Sequence, residues 1–320
     1  MLQPIDFDKA GKTFHDIVIP TEAGPVSAGR LCVINNGPGP RVLVVAGIHG
    51  DEYEAQLSLH RLVAAIDAEA VRGRLILIPE ANFPASSQGA RCAPSDGTNM
   101  NRTFPGNASG TPTERLSHFL FHEVLPQVDL VIDVHSGGPT YKGEAIAFAF
   151  HTPECAVSEP QVVAMMEAFR LPYITYQDGI SSTLVGAAAE AGIAAIELEG
   201  GGTTLVHSTV ADEFLVALQE GLKHFGVLDG APKATGRLSR HLDVRPENMF
   251  ETEVAGLLEH HVAMGQKVET GTIVAVVYPF GAFDQEPHPV LARAPGIVIS
   301  QRSLLSVKPG DCLGNTGTPR

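Results

Sequence analysis

Basic residues are scarce in this sequence: 22 lysines and arginines stand against 36 acidic residues, a formal charge of −14, and no Lys/Arg-rich run interrupts the acidic background. Phosphate recognition needs clustered cations, so no nucleic-acid partner is expected. Cysteine is equally sparse. Cys32, Cys92, Cys155 and Cys312 lie scattered without CxxC spacing, which offers neither a thiolate zinc site nor a disulfide framework and points to a reducing compartment. No apolar run approaches the ~20 residues of a membrane span. The segment from Met1 to Lys12 carries Asp6 and Asp8 in place of a signal-peptide core. These absences predict a soluble, cytoplasmic protein without a membrane partner. Oligomeric state stays open, a homo-oligomer included.

What is present is 320 residues with 44% hydrophobic content, enough for one full-sized domain and a small one. From about residue 14 to 225, short β-branched runs alternate with amphipathic stretches, the pattern of an α/β domain with a mostly parallel sheet. Val42 to Ile48, Leu75 to Pro79, Val128 to His135, Ala145 to Phe150 and Ile193 to Leu198 are the expected strands. Leu59, Leu62, Val63 and Ile66 recur at helical spacing and mark the buried stripe of a helix beginning near Asp51. Thr111 to Glu114 and Ser158 to Gln161 have capping-box spacing, and Gly192 is placed to end a helix running from about Ser182.

Residues 229 to 236, DGAPKATG, read as a linker that divides a domain over 1–228 from a β-rich domain over 229–320. Beyond it, Gly256 followed by Val268 to Gly271 is echoed by Gly296 followed by Val307 to Gly310, a weak internal repeat. It resembles the two halves of a biotinyl/lipoyl-type barrel-sandwich domain. Lys267 and Lys308, the only lysines after the linker, do not sit at the hairpin between the halves. A lid or assembly domain is therefore expected, not a swinging arm.

Candidate chemistry concentrates at two expected strand ends. In Val44 to Glu52, His49 and Glu52 stand three apart where a buried strand gives way to a helix, at the carboxyl edge where α/β sheets bind ligands. A third donor, His135, ends the apolar run of Val131 to Gly138, and two histidines with a glutamate form a recurrent catalytic zinc set. Alone, an HxxE pair is a common surface pattern; the second strand-end histidine is what singles it out. Among the other histidines, His118, His122, His260 and His261 read as exposed helix or loop positions. Between the two strand ends runs a polar, Pro/Gly-punctuated loop from Arg91 to Gly106, whose two arginines can grip carboxylates or stabilise an oxyanion.

The segments GIHGDE, NMNRTFPG and DVHSGG, in that order, with ELEGGG further on, resemble the succinylglutamate desuccinylase/aspartoacylase family over about residues 40 to 205. The HSGG form and the long β-rich tail resemble its N-acetyl-diaminobutyrate deacetylase-like branch. The resemblance implies a zinc carboxypeptidase-like fold, one zinc ion per chain on His49, Glu52 and His135, and hydrolysis of a small N-acyl amino acid. It further implies that Arg91 polarises the scissile carbonyl, that Asn101 and Arg102 hold a substrate carboxylate, and that a strand-end glutamate is the general base. Here Glu197 and Glu199 compete for that role; the order glutamate, apolar residue, turn favours Glu197. The tyrosine that carboxypeptidases place over the substrate has no match, and Tyr278 reads as a core or hairpin residue. A metallocarboxypeptidase acting on short peptides is the alternative enzyme, and a metal-binding assembly protein without activity is the alternative outside enzymes.

Overall fold

A computed structural model describes residues 5–21, 24–151, 157–178, 180–202, 205–206, 208–232 and 239–320. It opens with an antiparallel hairpin, β1 (Gly11–Thr21) and β2 (Gly24–Asn36), whose second strand docks onto β4 (Gly73–Ile78). β4 lies parallel to β3 (Arg41–Ala46), β3 to β5 (Leu130–Val134), and β5 to β8 (Ala194–Gly201). Every residue of β4 and β5 is buried, as expected of strands covered on both faces.

Among the described residues, six α-helices provide that cover: α1 (Tyr53–Ala65), α2 (Phe83–Ser86), α3 (Pro112–Phe119), α4 (Glu159–Glu167), α5 (Leu184–Glu190) and α6 (Ser208–His224). One core joins Leu59 and Leu62 of α1 to Met166 of α4 and Phe214 of α6. The opposite core joins Leu116 of α3 to Leu184 and Val185 of α5. Each such fully buried side chain contributes roughly 1.5–3 kcal/mol. The helix starts follow the sequence. The Thr111 hydroxyl accepts from the Glu114 N–H at 3.3 Å while the Glu114 carboxylate accepts from the Thr111 N–H at 2.7 Å. Thr183 caps α5 by accepting from the Gly186 N–H at 3.0 Å.

The expectation of a mostly parallel sheet holds only for part of it. β6 (Tyr141–His151) enters antiparallel to β8, because the six residues that separate it from β5 are too few for a crossover. The sheet is therefore mixed. β7 (Tyr173–Asp178) pairs parallel to β6, and β9 (Arg240–Asp243) parallel to β7.

Of the expected linker, residues 233–236 lie outside the described residues. The chain after it adds β10 (Met249–Glu251), β11 (Gly256–His260), β12 (Lys267–Val268), β13 (Ile273–Pro279), β14 (His288–Leu291), β15 (Gly296–Arg302), β16 (Ser306–Val307) and β17 (Cys312–Pro319). β17 pairs with β9 and β15, and β15 returns to pair with β6. Strands β6, β7, β9, β17 and β15 thus close into a ring filled by Ile146, Tyr173, Leu242, Ile297 and Ile299. β14, β13, β11 and β16 form a second sheet, and Leu258, Val277, Val298 and Leu313 pack between the two. The repeat pairs crosswise: Gly256 opposes Val307 and Gly296 opposes Val268, so each half supplies a strand to the other.

Candidate metal centre and active site

His49 and Glu52 sit on the turn between β3 and α1, with Glu52 at the N-cap, and both are buried. The turn is tight. A side chain on Gly50 would meet the Ser86 nitrogen at 2.2 Å, so α2 and the turn approach backbone to backbone. His135 follows directly on β5. One ligand atom from each of His49, Glu52 and His135 lies within 4.8 Å of the others.

Hydrogen bonds on the far side of each ring fix which nitrogens face inward. Asp133, a carboxylate that can only accept, lies 3.0 Å from His135 Nε2, so that nitrogen carries the proton. Asn99 Oδ1 already accepts the Asn101 N–H at 3.0 Å and lies 3.1 Å from His49 Nε2, which must likewise donate. The two Nδ1 lone pairs therefore point at the Glu52 carboxylate, at 2.9 Å from His49 and 2.8 Å from His135. Acceptor faces acceptor at both contacts, an arrangement that a shared cation resolves. Two imidazoles and a carboxylate fit a borderline-soft divalent ion such as zinc.

In this cation's place the residues favour a proton. Burial opposes charge on His135, yet the Asp133, Glu52 and Glu197 carboxylates overcome it and raise its pKa well above the usual histidine value. Burial likewise opposes charge on Glu52, and the two histidines outweigh it, holding the carboxyl below the usual range. Glu52 also accepts from Arg91 Nη1 at 2.9 Å and from the Ser136 N–H at 3.1 Å.

Arg91 stands half-exposed over the cluster, tied to it by the Gly50 N–H donating to its carbonyl at 3.2 Å. Asn101 is buried, and its Oδ1 accepts the Leu184 N–H of α5 at 2.9 Å. Its Nδ2 lies 3.5 Å from His135 Nε2, donor against donor, so that amide keeps its protons available. Arg102 is exposed and donates to the Asn101 carbonyl at 2.6 Å. Glu197 lies beside Asp133 on β8 and forms a second close cluster with Asp133 and His135. Burial, with Glu199, Asp133 and Glu52 nearby, pushes its carboxyl up to about 8 despite the opposing pull of His135. Glu199 faces the same side of β8 one repeat further along, level with His135, whose N–H donates to the Leu198 carbonyl at 2.7 Å.

Three residues at the site escape the sequence reading: Asn99, Asp133 and Glu54. Glu54 is buried and binds two turns at once, accepting from Ser136 Oγ at 3.0 Å and from the Gly202 N–H at 3.3 Å. Asp133 had a legible signal, an acid inside the otherwise apolar strand LVIDV. The glycines of both turns serve close packing: a side chain on Gly202 would meet the Tyr141 carbonyl oxygen at 2.2 Å.

The four other histidines singled out in the sequence, and Tyr278, are not part of this cluster. His122 and His261 are exposed, whereas His118 and His260 are half-buried, the latter 2.8 Å from the Arg302 carbonyl. Tyr278 is neither core nor cleft: it stands exposed on β13 and donates to Glu259 at 2.9 Å.

The model of the succinylglutamate desuccinylase/aspartoacylase catalytic domain matches residues 38–225. The chain is 31% identical over 319 residues to the Nα-acetyl-L-2,4-diaminobutyric acid deacetylase of Halomonas elongata, covering 97% of this chain and 92% of the relative. Among solved structures, the product-bound ectoine utilization protein EutE (DoeB) of Ruegeria pomeroyi superposes with a TM-score of 0.90 at 32% identity, over 98% of this chain and 97% of that one. A succinylglutamate desuccinylase/aspartoacylase from Rhodobacter sphaeroides superposes with a TM-score of 0.91 at 29% identity, over 99% and 98% of the two chains. The chain belongs to the succinylglutamate desuccinylase/aspartoacylase family.

Proposed function

We propose that this protein is a zinc-dependent hydrolase that cleaves the amide bond of a small N-acyl amino acid, with one zinc ion per chain held by His49, Glu52 and His135. The observation that carries the reading is the convergence of two Nδ1 lone pairs on one buried carboxylate. The activity named for the Halomonas elongata relative, deacetylation of an N-acetylated amino acid, supports the substrate class.

Zinc in this site would supply the Lewis-acid charge that polarises an acyl carbonyl and brings the pKa of water toward neutrality. The chain's own residues do the rest. Glu197 takes the proton of the attacking water and passes it to the leaving nitrogen, so that a carboxylate and a free amine result without an acyl-enzyme. Its raised pKa suits both halves of that task, and positive charge at the three ligands draws it back toward the ionised form. Arg91 turns from Glu52 to the carbonyl oxygen as negative charge develops there. Arg102, with the free amide of Asn101, holds the substrate carboxylate.

This reading takes residues 1–228 as a carboxypeptidase-like catalytic domain and 229–320 as a barrel-sandwich-like β-rich domain that narrows the cleft to small substrates. A cytoplasmic location fits the free thiols of Cys32, Cys92 and Cys312; Cys155 lies outside the described residues. Among the described residues, no helix is long and apolar enough to cross a membrane.

The test is a hydrolysis screen of the zinc-loaded protein against acetyl, succinyl and formyl derivatives of acidic and diamino acids, with short peptides as the contrast. Turnover of an acyl amino acid, lost together with the metal in His135→Ala, is the expected result. Cleavage of peptides alone would convert the assignment to a carboxypeptidase, and no turnover with zinc bound would refute it.

A further inference from the structure

Glu54 is a buried carboxylate that no step of the proposed hydrolysis uses. It stands two residues after Glu52, in the first turn of α1, and among the described residues it forms no ion pair. The helix dipole favours an acid in that turn, but this preference is met at the surface and does not account for burial. The division of the carboxylate does: Oε2 accepts from Ser136 Oγ at 3.0 Å, and Oε1 accepts from the Gly202 N–H at 3.3 Å.

These two donors belong to turns that the sheet itself leaves unjoined. β5 and β8 pair in parallel as far as Val134 and Leu198, and the His135 N–H adds one more bond to the Leu198 carbonyl. Past that point β5 gives way to the turn of Ser136 and Gly137, while β8 runs on to Gly201. Among the described residues no backbone hydrogen bond links the two turns, so Glu54 supplies the cross-link. Packing there leaves no slack: a side chain on Gly202 would meet Gly137 Cα at 2.5 Å. The link reaches the metal ligands through Ser136, which is fully buried. Its hydroxyl is held by Glu54, and its N–H donates at 3.1 Å to Glu52 Oε2, the oxygen that faces His135 Nδ1 at 2.8 Å. With Arg91 on Oε1, the Glu52 carboxylate is held from both sides.

We propose that Glu54 is a positioning residue of the metal centre: by clamping Ser136 against the end of β8, it holds the Glu52 carboxylate and the His135 turn in the arrangement that one cation needs. This inference rests on the metal-site reading above. The task is acceptance of two hydrogen bonds, not charge, so the amide of glutamine can perform it. The Gly202 N–H can only donate and would take the amide oxygen, whereas Ser136 Oγ can also accept and would receive the NH₂.

The experiment measures zinc affinity by chelator competition for wild type, Glu54→Ala, Glu54→Gln and Ser136→Ala, together with Tm of the chelated proteins and the visible spectra of their cobalt(II) forms. Residues that orient metal ligands typically contribute roughly 10- to 100-fold in affinity. Glu54→Ala should lose about that much and alter the cobalt spectrum, and Glu54→Gln should recover most of both. Ser136→Ala should also weaken zinc binding, and the double variant with Glu54→Ala should lose less than the two single losses combined, because both act through one contact. A Glu54→Gln protein as weak as Glu54→Ala overturns the proposal in favour of a simple effect of charge. Wild-type zinc affinity and cobalt spectrum in Glu54→Ala, with only Tm lowered, also overturn it and leave Glu54 a purely structural residue. Should Glu54→Ala fail to fold, Ser136→Ala decides, and unchanged affinity there overturns the proposal. A wild type that takes up no zinc would instead refute the metal-site reading itself.

Discussion

Replacing Asp133 by asparagine separates the geometry of the metal centre from its charge. The side chain is fully buried; one oxygen accepts from His135 Nε2 at 3.0 Å, and the other has no hydrogen-bond partner among the described residues. Buried carboxylate oxygens are seldom left unpaired, and a fold indifferent to this charge would be served as well by an amide. Asparagine keeps the shape but weakens the acceptor, and it can present its NH₂ to Nε2, which drives the imidazole to the tautomer with a proton on Nδ1. Partners of this kind typically contribute 10- to 100-fold in metal affinity, or about 1.4–2.8 kcal/mol. Zinc affinity is read by competition with a chromophoric chelator, with circular dichroism and Tm as controls for folding. The deficit should also depend on pH. Asp133 helps raise the pKa of His135, so the variant has less proton to displace, and the gap between the two proteins narrows as pH falls. Equal zinc affinity at pH 8 in wild type and Asp133→Asn would refute the tautomer argument, and retained affinity in Asp133→Ala would remove Asp133 from the metal centre.

Glu197→Gln should keep zinc and fold while kcat drops about 10²- to 10⁴-fold, the contribution of a positioned base; activity near wild type at saturating zinc would exclude it. Arg102→Lys should raise KM far more than it lowers Tm, because an ammonium cannot reproduce a planar two-bond grip on a carboxylate; an unchanged kcat/KM on the best substrate would take Arg102 out of the site. For chelator-treated protein, the carboxyl of Glu197 rises from 4.5 to about 8 on folding. Between those values the folded state holds a proton that the unfolded state has lost, so this group's stabilisation declines as pH rises through that window. Tm of the chelated protein should fall relative to the zinc-loaded protein from pH 5 to 8, and a constant difference would show that Glu197 does not titrate there.

The centre of the sheet was readable because buried parallel strands are unbroken apolar runs, and the ligands because they punctuate those runs at their ends. β3, β5 and β8 fall within a residue or two of the expected spans at most boundaries. The hairpin of β1 and β2 has no such signature: its strands mix polar and apolar residues, as in GKTFHDIVIPT, without a strict period of two. α6 carries the right periodicity, but it lies between a glycine run and the linker, where turn residues mask the start and end of the pattern. Glu54 was invisible for a different reason, since an acid in the first turn of a helix is routinely explained by the helix dipole. Only the approach of two distant glycine turns reveals its bonds. The antiparallel entry of β6 was in principle deducible from its short connection, and the closure of the ring was not, because pairing across so long a separation leaves no local periodicity.

That closure has a consequence for the order of events during synthesis. Tyr141 of β6 donates to the carbonyl of Cys312, 171 residues further along the chain. A nascent chain that has emerged only as far as α6 already contains every proposed catalytic residue, yet β6 and β7 still present open edges and the ring has no far wall. Unpaired edges of that kind invite pairing with other chains. The ring can close only after β17 has been synthesised, so chains stalled or truncated before it should depend on chaperones for solubility.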